Sequence, residues 1–289
     1  MAGRQSMQRD VRPVGVMGAG VVGGSVRDFL ADRGHDVRIY DPPRGFGSLD
    51  ALYDADVVFV CVPTPYTPGR GFDDSHLLDA VGSLRGSRTV VIKSTVLPGT
   101  TMLLQEQMPQ HRFLFNPEFL REATAWDDFI NPDRQIVGCT PASRDAAAGV
   151  MDLLPRAPFE RICTAEEAEM AKYVANAFLA IKVSYANEVF DLCERLHINY
   201  EGVRDIAGAD ARIGNSHLDV LDSGYRGYGG KCLPKDSKAL LDLAQSIGLD
   251  LAVLRAADRV NAALHRQGAN GGANVTVLAT AGAVREHAA

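Results

Sequence analysis

A thiol set among glycines and lysines has the clearest chemical consequence in this chain. Gly229-Gly230-Lys231-Cys232-Leu233-Pro234-Lys235-Asp236 runs into the helical periodicity of Ser237-Lys238-Ala239-Leu240-Leu241-Asp242-Leu243-Ala244. Pro234 suits a first helical turn, so Cys232 is expected where a helix begins. There the unpaired backbone N–H groups and the positive end of the helix dipole favour the thiolate, the reactive form of cysteine. The plainer reading is a small buried hydrophobe. The polar, glycine-rich setting makes a nucleophile the better of the two.

Lys172 and Asn176 stand one helical turn apart within Glu169-Met170-Ala171-Lys172-Tyr173-Val174-Ala175-Asn176, so they share a face in apolar surroundings. Both can donate hydrogen bonds to an oxygen that gains negative charge during a reaction. A lysine that snorkels to water beside an ordinary polar asparagine fits the same spacing equally well.

A third constellation lies near the N-terminus. Val14-Gly15-Val16-Met17 reads as a buried strand that enters Gly18-Ala19-Gly20-Val21-Val22-Gly23, followed by a helix from about Val21 to Arg33 and a second strand, Asp36 to Tyr40, that ends at Asp41. Glycines at Gly18, Gly20 and Gly23 let the backbone approach a pyrophosphate, and an acid about 20 residues on accepts hydrogen bonds from the adenosine ribose. The acid would repel a 2′-phosphate, so the expected cofactor is NAD rather than NADP. A plain glycine turn with Asp41 as a solvated strand end is the alternative.

The elements that must hold these residues fall into two sets. Up to about residue 160, apolar strands alternate with helical stretches: Val57 to Val62, Thr89 to Lys93, Phe113 to Phe115 and Gln135 to Gly138. This is the pattern of a mostly parallel α/β sheet of Rossmann type. After it, no comparable strand is expected until the tail. A long helix covers Glu166 to Leu196, with further helices at about Tyr200 to Ala207, Lys235 to Ser246 and Ala252 to His265. The expected division is 11–160 for an NAD-binding domain, 161–267 for an all-helical domain, and 268–289 for a linker and one strand. The apolar repeats of the long helix exceed what one small helical domain can cover, which predicts a homodimer built along it.

Composition sets the outer limits. The chain has 289 residues, is 46% hydrophobic and carries a formal charge of −6. That length and apolar content suffice for a two-domain enzyme. The acidic balance argues against nucleic acid as a partner. No apolar run reaches the length of a membrane span and no secretory leader is apparent, so a cytoplasmic, non-membrane protein is expected. Cys61, Cys139, Cys163, Cys193 and Cys232 are odd in number and scattered, which predicts neither disulfides nor a bound metal.

Taken in order, the segments make the chain resemble the nucleotide-sugar 6-dehydrogenases, the UDP-glucose/GDP-mannose 6-dehydrogenase family, nearest to its UDP-glucose members, from Val14 to about His265. The resemblance rests on the glycine fingerprint, Val62-Pro63-Thr64-Pro65, Lys93-Ser94-Thr95-Val96-Leu97-Pro98-Gly99-Thr100 and Asn116-Pro117-Glu118-Phe119-Leu120-Arg121-Glu122. It continues through Asn131-Pro132-Asp133-Arg134, Lys172 to Asn187-Glu188, Asp210-Ala211-Arg212-Ile213-Gly214 and Gly227-Tyr228-Gly229-Gly230-Lys231-Cys232.

The resemblance implies oxidation of a primary alcohol to a carboxylate at the expense of two NAD molecules. A nucleophile is needed because an aldehyde has no hydride to give until something adds to it; Cys232 would form a thiohemiacetal and then a thioester that water hydrolyses. By similarity, Lys172 and Asn176 stabilise the oxyanion, Glu118 assists hydrolysis and proton transfer, and Thr95 and Asp236 position water and the base. Gly18, Gly20, Val21, Val22, Gly23, Asp41, Thr64, Pro65, Thr95, Glu122 and Lys235 are the implied cofactor set. Phe119, Leu120, Arg121, Arg212, Tyr228 and Gly229 are the implied substrate set, Arg212 on its own or a partner subunit.

Family members continue after this point into a third domain of about 100 residues or more that helps bind the nucleotide. Here Gly268 to Ala273 reads as a linker and Asn274 to Ala279 as the first strand of such a domain cut short. The implied substrate is therefore a nucleotide sugar or a simpler sugar alcohol. Two other readings stay open: a two-electron hydroxyacid dehydrogenase of the 6-phosphogluconate or 3-hydroxyisobutyrate type, which needs no thiol, and a non-catalytic NAD-binding homologue.

Overall fold

A computed structural model describes residues 13–221 and 224–269 of the chain. Four-residue strands open the fold: β1 (Val14–Met17), then α1 (Val21–Asp32), β2 (Val37–Tyr40) and β3 (Val57–Val60). A small hairpin, β4 (Tyr66–Thr67) and β5 (Gly71–Phe72), leads to α2 (Ser75–Gly82), β6 (Thr89–Ile92), α3 (Thr100–Gln107) and β7 (Arg112–Phe115). Next come α4 (Ala125–Ile130), β8 (Arg134–Cys139), α5 (Ala147–Leu153) and β9 (Phe159–Thr164). The helical part is α6 (Ala165–Leu196), α7 (Tyr200–Gly208), α8 (Leu233–Ser246) and α9 (Ala252–Ala269). Residues 274–279, where a strand is expected, lie outside the described residues.

Seven strands form one sheet in the order β2-β1-β3-β6-β7-β8-β9, with every neighbouring pair parallel except β7 and β8. This is the mostly parallel Rossmann-like sheet that the alternation implies. Its inner strands are apolar on both faces because helices cover both, while the edge strands β2 and β9 are half-buried or exposed. Met17, Val58, Val60, Val90, Ile92, Phe113 and Phe115 pack with Leu77, Val81 and Leu104 of α2 and α3. Val14, Val16, Phe59, Val91, Leu114 and Val137 pack with Val26 and Leu30 of α1, Phe129 of α4, and Val150 and Met151 of α5.

Strand β9 corrects the expectation that strands stop near residue 160. Its sequence, Phe-Glu-Arg-Ile-Cys-Thr, hides the element because it is an edge strand with mostly exposed or half-buried side chains, so no apolar run marks it.

The chain divides into two compact units. One extends to Ala177 and takes in Lys235–Asp250; the other holds Phe178–Pro234 and the chain from Leu251 onward. The second unit is helical. Ala186 and Cys193 of α6 pack with Tyr200, Leu218 and Val220, and Phe190 meets Tyr200 edge to face at 5.5 Å. Ser184 donates to the carbonyl of Ala257 in α9 at 2.9 Å. Among the described residues, no helix is long and apolar enough to cross a membrane.

Candidate active site

The C-terminal ends of β1, β2, β3, β6 and β7 lie along one edge of the sheet, and the loops that leave them carry most of the expected site. After β1, Gly18 has φ +87°, and a Cβ there would sit 2.6 Å from the carbonyl oxygen of Cys61. A Cβ on Gly23 would meet the oxygen of Gly18 at 1.8 Å. Only glycine permits this turn. Gly20 is open, with the nearest atoms 3.9 Å away on Arg44, and α1 starts at the next residue with no side chain capping it.

At the end of β2, Asp41 is buried rather than solvated, and its Oδ2 accepts the N–H of Ala19 at 2.7 Å. An uncapped helix terminus behind an open glycine, with a carboxylate fixed beside it, fits the pyrophosphate and ribose of a dinucleotide. Arg44, which the sequence reading passes over, pairs with the same Oδ2 at 3.1 Å.

Loops after β3 and β6 are tied to each other. Thr64 Oγ1 donates to the carbonyl of Thr95 at 2.8 Å, and Ser94 Oγ donates to that of Val62 at 2.7 Å. Beneath them lies a buried polar chain that the sequence reading assigns no role. Lys93 Nζ donates to Asn116 Oδ1 at 2.5 Å, and Asn116 Nδ2 donates to Gln135 Oε1 at 2.8 Å. Burial lowers the Lys93 amine to about 8, partly offset by Cys61 and Glu118, and raises the Cys61 thiol to about 12.

The segment after β7 meets the first turns of α6. Lys172 Nζ donates to Glu118 Oε1 at 2.8 Å and to the Glu118 carbonyl; the lysine is buried and the Glu118 side chain keeps only 11% exposure. The snorkelling alternative for Lys172 is thereby overturned. Burial pushes the Glu118 carboxyl upward, but Lys172, the Leu120 N–H and Lys93 outweigh it and hold Glu118 below its ordinary value. Two cations approach the Phe119 ring, Arg134 at 3.7 Å and Lys172 at 5.5 Å from its centroid. One turn on, Asn176 Nδ2 donates to the buried Asp236 Oδ2 at 2.6 Å. Lys235 Nζ sits 2.6 Å from the other Asp236 oxygen as an ion pair without hydrogen-bond alignment. The hairpin reaches the same helix, with Tyr66 donating to Asp242 at 2.6 Å and Lys235 over the ring of Phe72 at 5.7 Å.

Glu118, Phe119, Lys172, Asn176, Lys235 and Asp236 are thus brought together within one unit. Other expected residues are engaged elsewhere. Arg121 is held by Asp128 at 2.6 Å, and Glu122 is exposed at the start of a short 3-10 turn. In the second unit, Arg212 is 88% exposed and pairs with Asp210. Tyr228 is buried against Ala180, Val183 and Leu233, while Gly229 lies under the hydroxyl of Tyr225. Cys232 is exposed and directly precedes α8, so the buried-hydrophobe alternative fails.

Glu169 is a further residue without a role in the sequence reading. Fully buried on α6, it accepts the N–H of Gly99 at 2.7 Å, the N–H of Thr101 at 2.9 Å and the Thr101 hydroxyl at 2.6 Å. It caps the start of α3, which has no other side-chain cap. Burial raises its carboxyl above the ordinary value although these three donors oppose the shift.

Residues 48–151 match the NAD binding domain, and residues 166–263 the central domain, of the UDP-glucose/GDP-mannose dehydrogenase family. UDP-glucose 6-dehydrogenase of Pseudomonas aeruginosa is 40% identical over 74% of this chain and 50% of its own length. UDP-glucose 6-dehydrogenase AglM of Haloferax volcanii is 31% identical over 85% of this chain and 68% of its own. The chain spans about half the length of several curated relatives that it matches. A UDP-glucose dehydrogenase structure from Pyrobaculum islandicum superposes with a TM-score of 0.81 at 29% identity, over 93% of this chain and 72% of that one. Mycobacterium tuberculosis 3-hydroxyisobutyrate dehydrogenase shares the fold alone, at 18% identity and a TM-score of 0.69. With both domain models matched in order, and the fingerprint, the strand-end loops and the Lys172–Glu118 pair in place, this chain belongs to the UDP-glucose/GDP-mannose dehydrogenase family.

Proposed function

We propose that the protein catalyses the NAD-dependent four-electron oxidation of a primary alcohol on a nucleotide sugar to the carboxylate. The observation that carries this reading is the buried set on α6, where Lys172 and Asn176 are each bonded to an acid. Gly18, Gly20, Gly23 and Asp41 would hold the cofactor. When bound, NAD supplies the hydride acceptor, once for each of two oxidations. Lys172 and Asn176 donate to the oxygen that gains charge, and Glu118, kept ionised by Lys172, receives protons. The Cys232 thiolate adds to the aldehyde carbon, forming a C–S bond. Loss of hydride from that carbon leaves a thioester, and water then cleaves it to the acid and restores the thiol.

In this reading residues 11–160 serve the cofactor and 161–267 serve catalysis and dimerisation, with the cytoplasm as the place of action. Phe178, Tyr185 and Leu192 recur every seventh residue of α6 with exposures of 63%, 64% and 56%, which supports a homodimer along that helix. The deciding experiment is NADH stoichiometry with UDP-glucose, other nucleotide sugars and simpler sugar alcohols. Two NADH per substrate with an acid product are expected. One NADH with a ketone or aldehyde product would favour the hydroxyacid-type reading, and NAD binding without turnover a non-catalytic one.

A further inference from the structure

The glycine-rich loop that ends at Cys232 is gripped from two helices of its own unit. Asn261, buried on α9, accepts the N–H of Tyr228 on its Oδ1 at 2.7 Å and donates from Nδ2 to the Tyr228 carbonyl at 2.9 Å. This one amide satisfies both polar groups of a loop residue, as a neighbouring strand would. One turn further along α9, His265 Nε2 lies 3.0 Å from the same carbonyl. The preceding loop residue leaves no slack: Gly227 has φ +88°, and a Cβ on it would sit 2.4 Å from Asn261 Oδ1.

The second grip comes from α6. Arg226 donates from Nε to Asn187 Oδ1 at 3.0 Å and from Nη2 to the Asn187 carbonyl at 3.0 Å, while its Nη1 lies 2.7 Å from Asp191. Its guanidinium also stacks 5.0 Å from the ring of Phe190. Arg226 and Tyr228 are therefore fixed from different helices with a glycine between them. Only Gly229, Gly230 and Lys231 separate this anchor from Cys232.

Such expenditure of buried hydrogen bonds on a surface loop needs a reason, because loops with many glycines are otherwise the most mobile parts of a fold. We propose that Asn261 is a positioning residue for the Cys232 thiol, with Arg226 as its counterpart on α6. The proposal rests on the reading of Cys232 as the nucleophile. The clamp holds the sulfur at the start of α8, where the helix terminus favours thiolate; a loop that swings the sulfur away weakens that field, and a displacement of about 1 Å already spoils its line of attack.

The test needs no knowledge of the natural substrate. Iodoacetamide alkylation at Cys232, followed by peptide mass spectrometry, is compared in wild type, Asn261→Ala, Asn261→Asp and Arg226→Lys, alongside NAD affinity and thermal unfolding. Asn261→Ala should alkylate roughly tenfold more slowly at Cys232 with NAD affinity unchanged. Asn261→Asp, which keeps the acceptor for Tyr228 N–H but loses the donor, should fall between. Wild-type alkylation in a folded Asn261→Ala overturns the proposal. If that variant does not fold, wild-type alkylation in both Asn261→Asp and Arg226→Lys does so. Cys232→Ser assayed with UDP-glucose separates the two ideas: two NADH per substrate there would sink the nucleophile and the clamp together, whereas loss of acid with unaltered alkylation in the clamp variants would sink the clamp alone.

Discussion

Lys172 Nζ and Glu118 Oε1 stand 2.8 Å apart, largely shielded from water, on segments 54 residues apart in the chain. The pair ties the first turns of α6 to the loop after β7. It helps to keep the Glu118 carboxylate charged: burial pushes the carboxyl upward, and Lys172, joined by the Leu120 N–H and Lys93, brings it below its ordinary value.

Lys172→Ala should slow NADH formation by a factor on the order of 10²–10³ if the amine is an oxyanion donor. The variant should also let burial raise Glu118, so the acid limb of the pH–rate profile should move to higher pH. In the wild type, Glu118 is depressed, and the stability that its pairing contributes is present above the ordinary carboxylate range and lost as pH falls through its folded value. A pH–rate profile that keeps its acid limb in the variant would show that Lys172 does not control Glu118.

Cys232→Ser should retain the alcohol-to-aldehyde step, or trap a covalent adduct, while acid formation is strongly depressed, since a serine hydroxyl is the poorer nucleophile. Quenched-flow product analysis with UDP-glucose and NAD separates the two steps. Acid at the wild-type rate would rule out the thioester.

For the cofactor, Asp41→Ala should weaken NAD by on the order of tenfold and narrow its advantage over NADP. Arg44, whose Nη1 lies 3.1 Å from Asp41 Oδ2, stays behind in that variant as a cation without this acid. Fluorescence titration with both dinucleotides reads the change, and Arg44→Ala should act in the opposite sense on NADP. An unmoved preference in Asp41→Ala would mean that this acid does not read the ribose.

Glu169→Gln should cost about 2–3 kcal/mol in denaturant unfolding, because one amide oxygen cannot accept the three donors that the carboxylate serves. The wild type should behave differently with pH. The Glu169 carboxyl is raised on folding, so its contribution is fullest below the ordinary carboxylate value and declines as pH rises through the folded value. The variant should lack that decline, and equal slopes in the two proteins would refute the assignment.

Phe178→Asp should leave unfolding little changed, since the ring is 63% exposed. It should shift the sedimentation of a micromolar sample from dimer to monomer. A wild type that already sediments as a monomer would remove the proposed interface.

The sheet was legible because its strands are short apolar runs, such as Thr89–Ile92, placed between helical stretches. Lys172 and Asn176 were legible as neighbours one turn apart on a helix, whereas Glu118 and Asp236 stood out only through the motifs that carry the family resemblance. What escaped is long-range. Phe159–Thr164 alternates too weakly to announce an edge strand. Glu169 looks like one more acid in Glu166-Glu167-Ala168-Glu169 until α3 brings it three donors. Arg44, Asn116 and Asn261 acquire meaning only from partners that no spacing rule supplies.

The interrupted course of the sheet-bearing unit has a consequence for synthesis. Its last portion, Lys235–Asp250, is made 57 residues after its first portion ends at Ala177. At ribosomal rates of about 5–20 residues per second, Asn176 therefore waits several seconds for Asp236, and Tyr66 waits longer for Asp242. A nascent chain released or cleaved in that interval carries every strand of the sheet but lacks Asp236 and Asp242. The order of emergence thus makes the loop carrying Cys232 leave the ribosome before the unit that supplies Lys172 can be complete.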